Sequence, residues 1–536
     1  MADPGAPPRS DAPIDEQKAH AAHLARISPK RTALNVVGNY GRAAITMLLG
    51  LVLQGYLVRS LGKAEYALWP LIGSCTALAA LIPRGIGAGV ARFLAHALGE
   101  GEVDEIERIT TSAFVGLTGG ALAYAGVVVV LSVGFESIFD VPAGTEGLGG
   151  WAMLLAGLAG ALSVPFGVFQ GGLSASQQFV KLNALRTVTY VARVVLIVGL
   201  FVLDEPRLLW VGLAFFVIAV IDSVALAVLA RRAVPWQRLR RAAFDWGVLR
   251  RVSTFSGWFL ISSMAGLLYW HTDNFIINKL IDPTQVAGYA IVVSLVNAAY
   301  QVMVLGCQAL TPAFTVMHAQ GDIARMVRVV YRTNRTIVPL AVLPIVFAMI
   351  NGEEILVLYV GEAFREYGVL FWLIGGGVLV AATNQVTNSV PVAFGRMRAA
   401  SMAMFAGALV NVVLSVVFAF GFGWGLLGVA GGTLATWVIY KLIFWSWLVA
   451  HMMGVRLGPF MASATLRPWA IAAPGIACLV AARWLDIGHG LFGLAAVGLF
   501  AAAVEGVFLA TVGLDPIDRK WVRDRLGRLA RRGRPG

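Results

Sequence analysis

Charge is scarce in this sequence. Asp, Glu, Lys and Arg make up only 13% of its 536 residues, whereas an ordinary soluble domain carries about 25%. So few charges cannot cover the surface of a chain this long, so water is excluded as its main surroundings. Cysteine is scarcer still. Cys75, Cys307 and Cys478 lie far apart in apolar segments, which excludes a disulfide framework and any C-x-x-C metal spacing. They read as small buried hydrophobes. The phosphate-cradling pattern G-x-x-x-x-G-K-[ST] is missing, and the seven histidines form no H-E-x-x-H. ATP coupling within the chain and zinc hydrolysis are therefore unsupported. No metal and no cofactor is expected. The N-terminal segment lacks the apolar core and small-residue cleavage site of a signal peptide.

Hydrophobic residues are abundant instead, at 58% of the chain, and the mean hydropathy is +0.77. About 20 apolar residues suffice for a helix to cross the hydrocarbon of a bilayer. Fourteen such runs occur between residues 36 and 513; the first two are 36–58 and 66–91, and the seventh is 253–279. The fold class expected is all-α: a polytopic membrane protein of about fourteen transmembrane helices, arranged as two parallel six-helix bundles plus two C-terminal helices.

Net charge is +13, but its distribution argues against nucleic acid as a partner. If the N-terminus is cytoplasmic, the alternate inner segments hold 31 of the 42 Lys and Arg residues and the outer segments hold six. That asymmetry sets orientation, with both termini cytoplasmic. Outer segments collect acids instead, such as Glu136, Asp140 and Glu146 in one and Glu353, Glu354, Glu362 and Glu366 in another. The expected organisation is a cytoplasmic tail (1–35), a six-helix bundle (36–230), a basic cytoplasmic linker (231–252), a second six-helix bundle (253–450), two extra crossings (451–513) and a basic cytoplasmic tail (514–536). The linker carries seven arginines and reads as an amphipathic segment on anionic lipid.

Two passages are weakly alike, Arg59–Phe93 and Asn278–Phe314. Each runs through a short outer turn, opens the next helix with an aromatic (Tyr66, Tyr289) and continues into a Gly- or Pro-interrupted stretch. Six crossings separate them, so the halves enter the membrane in the same direction. Such a parallel repeat suits a transporter that rocks about a site between its halves.

"LVRSLGKAEYALWPL" resembles the first-turn signature of the polysaccharide transporter family, keeping Leu61, Gly62, Glu65 and Tyr66 but placing Ala67 where glycine is usual. "GIGAGVARFLA", "TDNFIINKLIDPTQVAGYAIVVSL", "GEEILVLYVGEAF" and "GWGLLGVAGGTLAT" resemble later passages of that family. In the first of these, Pro83 and Arg84 stand where an acidic residue is common; in the second, Asp273, Gly288 and Tyr289 are kept. The resemblance spans about residues 35–450 and implies membership of the multidrug, oligosaccharidyl-lipid and polysaccharide exporter superfamily. It implies a flippase of the bacterial cytoplasmic membrane, not an enzyme, moving lipid-linked oligosaccharide to the outer leaflet for exopolysaccharide, O-antigen or peptidoglycan assembly. Membrane lipids and other polysaccharide-assembly proteins are the further partners it implies.

Ionisable groups inside a membrane are costly and usually face protein or a wet cavity. Asn35, Asn39, Arg42 and Thr46 form one helical stripe, and Arg186, Tyr190 and Arg193 a second. Asn297, Gln301 and Gln308 form a third, and Asn384 and Asn388 a fourth. Arg84 follows Pro83 at a kink. Arginine offers a forked, permanently charged donor set to diphosphate oxygens, and Asn and Gln can both donate to and accept from sugar hydroxyls. These residues are the cavity candidates. His271, Asp273 and Asp222 are coupling-ion candidates, although Asp222 matches Arg193 in depth and can equally pair with it. Arg42 and Arg186 can snorkel to the inner surface, as can Lys441 beside Trp445 and Trp447. The Asn and Gln stripes can equally be interhelical hydrogen-bond glue. The "GGTLATWVIYK" passage reads as close helix packing. Competing readings are a cation-coupled multidrug exporter of the same superfamily, which acidic interior groups would favour, a membrane glycosyltransferase or polymerase, and a scaffold that has lost transport.

Overall fold

The computed structural model describes residues 29–255, 257–308 and 310–514. Most of the two expected tails lies outside the described residues, as do the side chains of Arg84 and Gln308. All regular structure among the described residues is helical. A backbone in hydrocarbon must satisfy its own hydrogen bonds, and a helix does so within one segment. Two compact units divide between Ala287 and Gly288.

Twelve helices among the described residues are long and apolar enough to span a membrane, where the hydropathy runs led to an expectation of fourteen. Nearly all of the first expected run and most of the second share one 46-residue span, Gly38–Pro83. At about 1.5 Å per residue, such a span is roughly twice as long as the hydrocarbon is thick. Its helix, α1 (Pro29–Ala79), breaks at Gly62, where φ is 74° and ψ is 174°. Only glycine adopts that conformation without strain. The seventh expected run is also a helix, Gly257–Leu280, but its Asn, Asp, His and Lys residues leave it outside the twelve.

The first unit continues with α2 (Leu81–Glu100), α3 (Val103–Val133), α4 (Leu148–Ala175), α5 (Phe179–Leu203), α6 (Leu208–Ala233), α7 (Trp246–Phe255) and α8 (Gly257–Leu280). Leu94, Ile106, Phe169 and Leu226 share one core cluster. The basic linker is packed onto this unit. Trp236 is buried in that cluster, and Gln237 donates to the Val168 carbonyl at 2.8 Å. Arg240 reaches Glu107 at 3.5 Å and Arg251 reaches Glu105 at 3.2 Å. Carboxylates near the N-terminus of α3 suit the helix dipole and at the same time hold the linker's arginines. Arg231, Arg232, Arg241 and Arg250 stay exposed.

The second unit holds most of α9 (Gln285–Gln308), then α10 (Leu310–Ala319), α11 (Ile323–Ile350), α12 (Leu370–Thr383), α13 (Met397–Val416) and α14 (Gly425–Trp437). A wide helical turn, Val438–Trp445, leads into α15 (Ser446–Met452); α16 (Arg467–Trp484) and α17 (Gly490–Phe508) follow. α12 stops earlier than its apolar run suggests. Residues 383–389 read T-N-Q-V-T-N-S, and from Asn384 onward they form a turn and a short 3₁₀ segment. Thr387 Oγ1 bonds the Asn384 carbonyl at 2.7 Å, a local side-chain bond of the kind that competes with the helix.

α13 and α14 approach closely through Gly428 and Gly432, one turn apart. A Cβ on Gly432 would lie 2.5 Å from the Ser415 backbone nitrogen, and one on Gly428 would lie 2.5 Å from that of Ala419. This is the small-residue contact of membrane helix pairs, as the "GGTLATWVIYK" passage suggests. Because the obstructing atoms are backbone, Gly432→Ala should push the helices apart and cost about 1–3 kcal/mol. A melting curve of the purified protein should show the loss as a lower midpoint.

Outward faces are apolar rather than charged. Val133 and Phe492 are each 87% exposed, and Leu122, Val202 and Leu499 are also strongly exposed. Apolar exposure on this scale fits lipid, not water. The chain is a multi-pass membrane protein.

Candidate functional site

In the first unit, the arginine stripe of α5 meets α4, α6 and α1. Arg186 bonds Asp222 on α6 through Nη1 and Gln170 on α4 through Nη2 at 2.7 Å. Thr189 Oγ1 donates to the other Asp222 oxygen at 3.0 Å. Both carboxylate oxygens are thereby satisfied, and the Asp222 side chain is only 8% exposed while that of Arg186 is 33% exposed. The partner of Asp222 is therefore Arg186, two turns from the Arg193 that depth counting along the hairpin suggested. Depth counting treats both helices as upright; a tilt of either shifts the register by whole turns.

Arg193 is held differently. Its guanidinium carbon lies 4.3 Å from the Phe215 ring centre and 5.8 Å from that of Tyr190. Stacking on an aromatic face stabilises the cation and leaves its N–H groups pointing outward in the guanidinium plane. Its Nε is buried and makes no hydrogen bond within the protein. Arg42 on α1 has a buried, unbonded Nε as well. The α1 and α5 stripes face one another. Asn183 Nδ2 donates to Asn39 Oδ1 at 2.7 Å, and a Cβ on Gly50 would lie 3.0 Å from the Tyr190 hydroxyl. Arg42 lies on the same α1 face, between these two contacts.

On α8, His271 Nδ1 is 3.1 Å from Ser74 Oγ, and Asn274 Nδ2 donates to the same hydroxyl at 2.9 Å. Asp273 is buried. Farther along, Lys279 pairs with Asp140 at 2.9 Å.

The second unit gathers its polar groups around the 384–389 break. Lys441 Nζ donates to Asn388 Oδ1 at 2.9 Å and sits 4.2 Å from the Trp445 ring centre. Asn388 Nδ2 and Tyr300 Oη both donate to Gln385 Oε1, each at 2.7 Å. Trp445 Nε1 donates to Thr387 Oγ1 at 3.0 Å, and Ser446 Oγ to Asn384 Oδ1 at 3.2 Å. Lys441 is buried and, among the described residues, has no carboxylate within ion-pair distance. It does not reach the surface as a snorkelling lysine would. Asn297 keeps a buried, unbonded Oδ1, and Gln301 is exposed. Sequence reasoning picked Asn384 and Asn388 but missed Tyr300, Gln385 and Thr387. The signal for the last two was the polar run 383–389 itself, too dense to be a single helical stripe.

Comparison with known proteins decides the family. The model of the polysaccharide biosynthesis protein family matches residues 36–318, more than half of the chain. The chain belongs to that family. This member is 20% identical over 281 residues to the uncharacterized membrane protein EpsK of Bacillus subtilis (strain 168), a match covering 52% of this chain and 55% of EpsK. It thus spans about half the length of the curated relative it matches. The fold is that of the transporters of the multidrug, oligosaccharidyl-lipid and polysaccharide exporter (MOP) superfamily. It is similar to the lipid II flippase MurJ in its inward closed conformation, with TM-score 0.65 and 10% identity over 89% of this chain and 98% of MurJ. It is also similar to an inward-facing multidrug resistance MATE transporter of the MOP superfamily, with TM-score 0.61 and 12% identity over 78% of this chain and 99% of that one. At such identities the likeness is one of fold. This family member is therefore a membrane polysaccharide biosynthesis protein with a transporter and flippase fold.

Proposed function

We propose that this protein is a flippase, not an enzyme, which moves polyprenyl-diphosphate-linked oligosaccharide from the cytoplasmic to the outer leaflet of a bacterial cytoplasmic membrane by alternating access. Both termini are cytoplasmic in this reading. The halves 36–230 and 253–450 form the two moving bundles, and 451–513 adds two crossings. The observation that carries it is Arg193: a guanidinium inside a spanning helix, stacked on Phe215, while the carboxylate one helix away is bonded by Arg186 and Thr189. Such a group is suited to an anionic headgroup. Family membership and the likeness to a lipid II flippase support the same cargo class.

Arg42, Arg186, Arg193 and Arg84 are assigned to the diphosphate. Asn39, Asn297, Gln301, Gln308, Asn384 and Asn388 are assigned to the sugar. Of the coupling-ion candidates, Asp222 has its oxygens engaged by Arg186 and Thr189, which makes it a structural partner first. His271 and Asp273 on α8 remain the ion-coupling proposal.

The test is transport by purified protein in proteoliposomes, using a fluorescent polyprenyl-diphosphate oligosaccharide and a membrane-impermeant quencher. Faster loss of protected fluorescence than in protein-free vesicles is expected. A rate equal to that of empty vesicles, in preparations that retain native melting behaviour, would reject the assignment. The MATE-like fold also suits a multidrug exporter; efflux of a cationic dye without movement of the lipid-linked sugar would establish that reading instead.

A further inference from the structure

The basic linker between α6 and α7 is held at a defined depth. α3 is 31 residues long, about 46 Å at 1.5 Å per residue, against a hydrocarbon thickness of about 30 Å. Its ends therefore project beyond the hydrocarbon. Its last charged residue is Arg108, and no other follows before Val133. Thr111 and Ser112 lie about one turn inside that limit. The Arg240 backbone N–H donates to Thr111 Oγ1 at 3.2 Å, and the Asp245 backbone N–H donates to Ser112 Oγ at 2.9 Å. These bonds fix the linker beside the boundary between hydrocarbon and headgroups. The boundary is on the side that the charge asymmetry assigns to the cytoplasm, where α6 ends in Arg231 and Arg232.

What the linker leaves outward is aromatic and basic. On α7, Val248, Leu249 and Val252 are buried, while Trp246 and Arg250, four residues apart, share an exposed face. Trp246 is 70% exposed, Phe244 and Leu239 are exposed as well, and the Phe244 and Trp246 rings lie 6.2 Å apart. Water alone does not favour so apolar a surface. An indole suits the headgroup level, where its body meets acyl chains and its N–H meets polar groups. The acids close by are engaged within the protein. Glu105 and Glu107 hold Arg251 and Arg240, and Asp245 Oδ1 accepts from the Gly247 and Val248 backbone N–H groups at 2.7 and 3.2 Å. Arg231, Arg232, Arg241 and Arg250 are exposed, and their guanidiniums have no hydrogen-bond or ion-pair partner among the described residues.

We propose that this face binds anionic phospholipid of the inner leaflet, with the Phe244 and Trp246 rings set among the headgroups and the four arginines on lipid phosphates. Charge complementarity selects the occupant: a zwitterionic headgroup brings no net negative charge to the arginines, whereas an anionic one does. The surface uses no residue assigned to the cargo and stands independently of the transport reading.

The test uses the full chain, in neutral detergent and in nanodiscs. In detergent, native mass spectrometry counts adducts of phosphatidylglycerol against phosphatidylcholine with the same acyl chains. One arginine near an anionic surface is worth roughly fivefold in binding. The variant Arg231→Gln, Arg232→Gln, Arg241→Gln, Arg250→Gln should therefore lose the preference for phosphatidylglycerol by more than about tenfold. A control with the same charge change at exposed arginines of the second unit, Arg325→Gln, Arg328→Gln, Arg396→Gln, Arg467→Gln, should keep it. In nanodiscs, the emission of the parent minus that of Trp246→Phe isolates Trp246. Phosphatidylglycerol brominated near the headgroup end of its chains should quench that difference, and acrylamide in the water should quench it little. Parental preference in the Gln variant or equal loss in the control overturns the proposal. So does a Trp246 signal quenched by acrylamide and not by brominated lipid, which would mark a surface for a soluble partner. The quenching measurement changes no arginine and decides the matter if the Gln variant fails to fold.

Discussion

Export should fall by about ten- to a hundredfold when Arg193 is replaced by alanine, while the amount of protein in the membrane stays near normal. The magnitude follows from losing charged hydrogen bonds to a phosphate, at about 1.5–3 kcal/mol each. The separation of function from folding follows from the geometry. Arg193 stacks on Phe215 and holds no carboxylate, so its removal leaves no buried charge behind. The loss in stability should be limited to the cation–π contact, about 2 kcal/mol at most. Arg193→Lys should recover only part of the rate, because an ammonium is a point charge that cannot fork across two oxygens. Proteoliposome transport normalised to protein amount measures the rate, and surface glycan in cells reports the same step. An unchanged rate for the alanine variant removes Arg193 from the pathway.

Asp222→Ala should do the reverse, damaging the fold first. It strips Arg186 of its anionic partner and Thr189 of its acceptor. Breaking a buried ion pair from one side costs about 3–5 kcal/mol. Arg186 is a third exposed, and solvent screening reduces the expected loss to about 2–3 kcal/mol. The double variant Arg186→Met, Asp222→Leu should regain most of that stability, since an apolar pair of similar volume often replaces an ion pair without loss. Melting midpoints of Arg186→Met alone, Asp222→Leu alone and the double variant complete the cycle. If the double variant is no more stable than Asp222→Ala, the pair is not the source of the stability. Its transport rate then tells whether Arg186 serves only Asp222 or also the cargo: a stable, inactive double variant assigns Arg186 to the cargo.

Much of this molecule was legible before any fold was known, because a bilayer imposes few solutions. Length and apolarity of a run dictate a helix, since no other single segment satisfies its backbone in hydrocarbon. The side-chain stripes followed from helical spacing, and Arg186, Tyr190 and Arg193 do share one face of α5 with Asn183 beside them. What the apolar runs left open has one origin. Gly62 lets one long helix break without a loop, so counting apolar runs and counting helices give different answers. The polar run 383–389 ends α12 early because its side chains bond their own backbone. Neither outcome is visible in hydropathy, which records what a residue prefers and not which neighbour satisfies it.

Composition, charge asymmetry and helical periodicity alone determined that this chain is a helical, multi-pass membrane protein carrying arginine within its spans. Only the tertiary structure decided that Asp222 belongs to Arg186, that Arg193 rests on Phe215, and that Lys441 is held by Asn388 and Trp445. Spacing along a helix is local and set by its pitch. The pairing of one helix with another depends on tilt, and on which side chain can reach a partner across the gap between them.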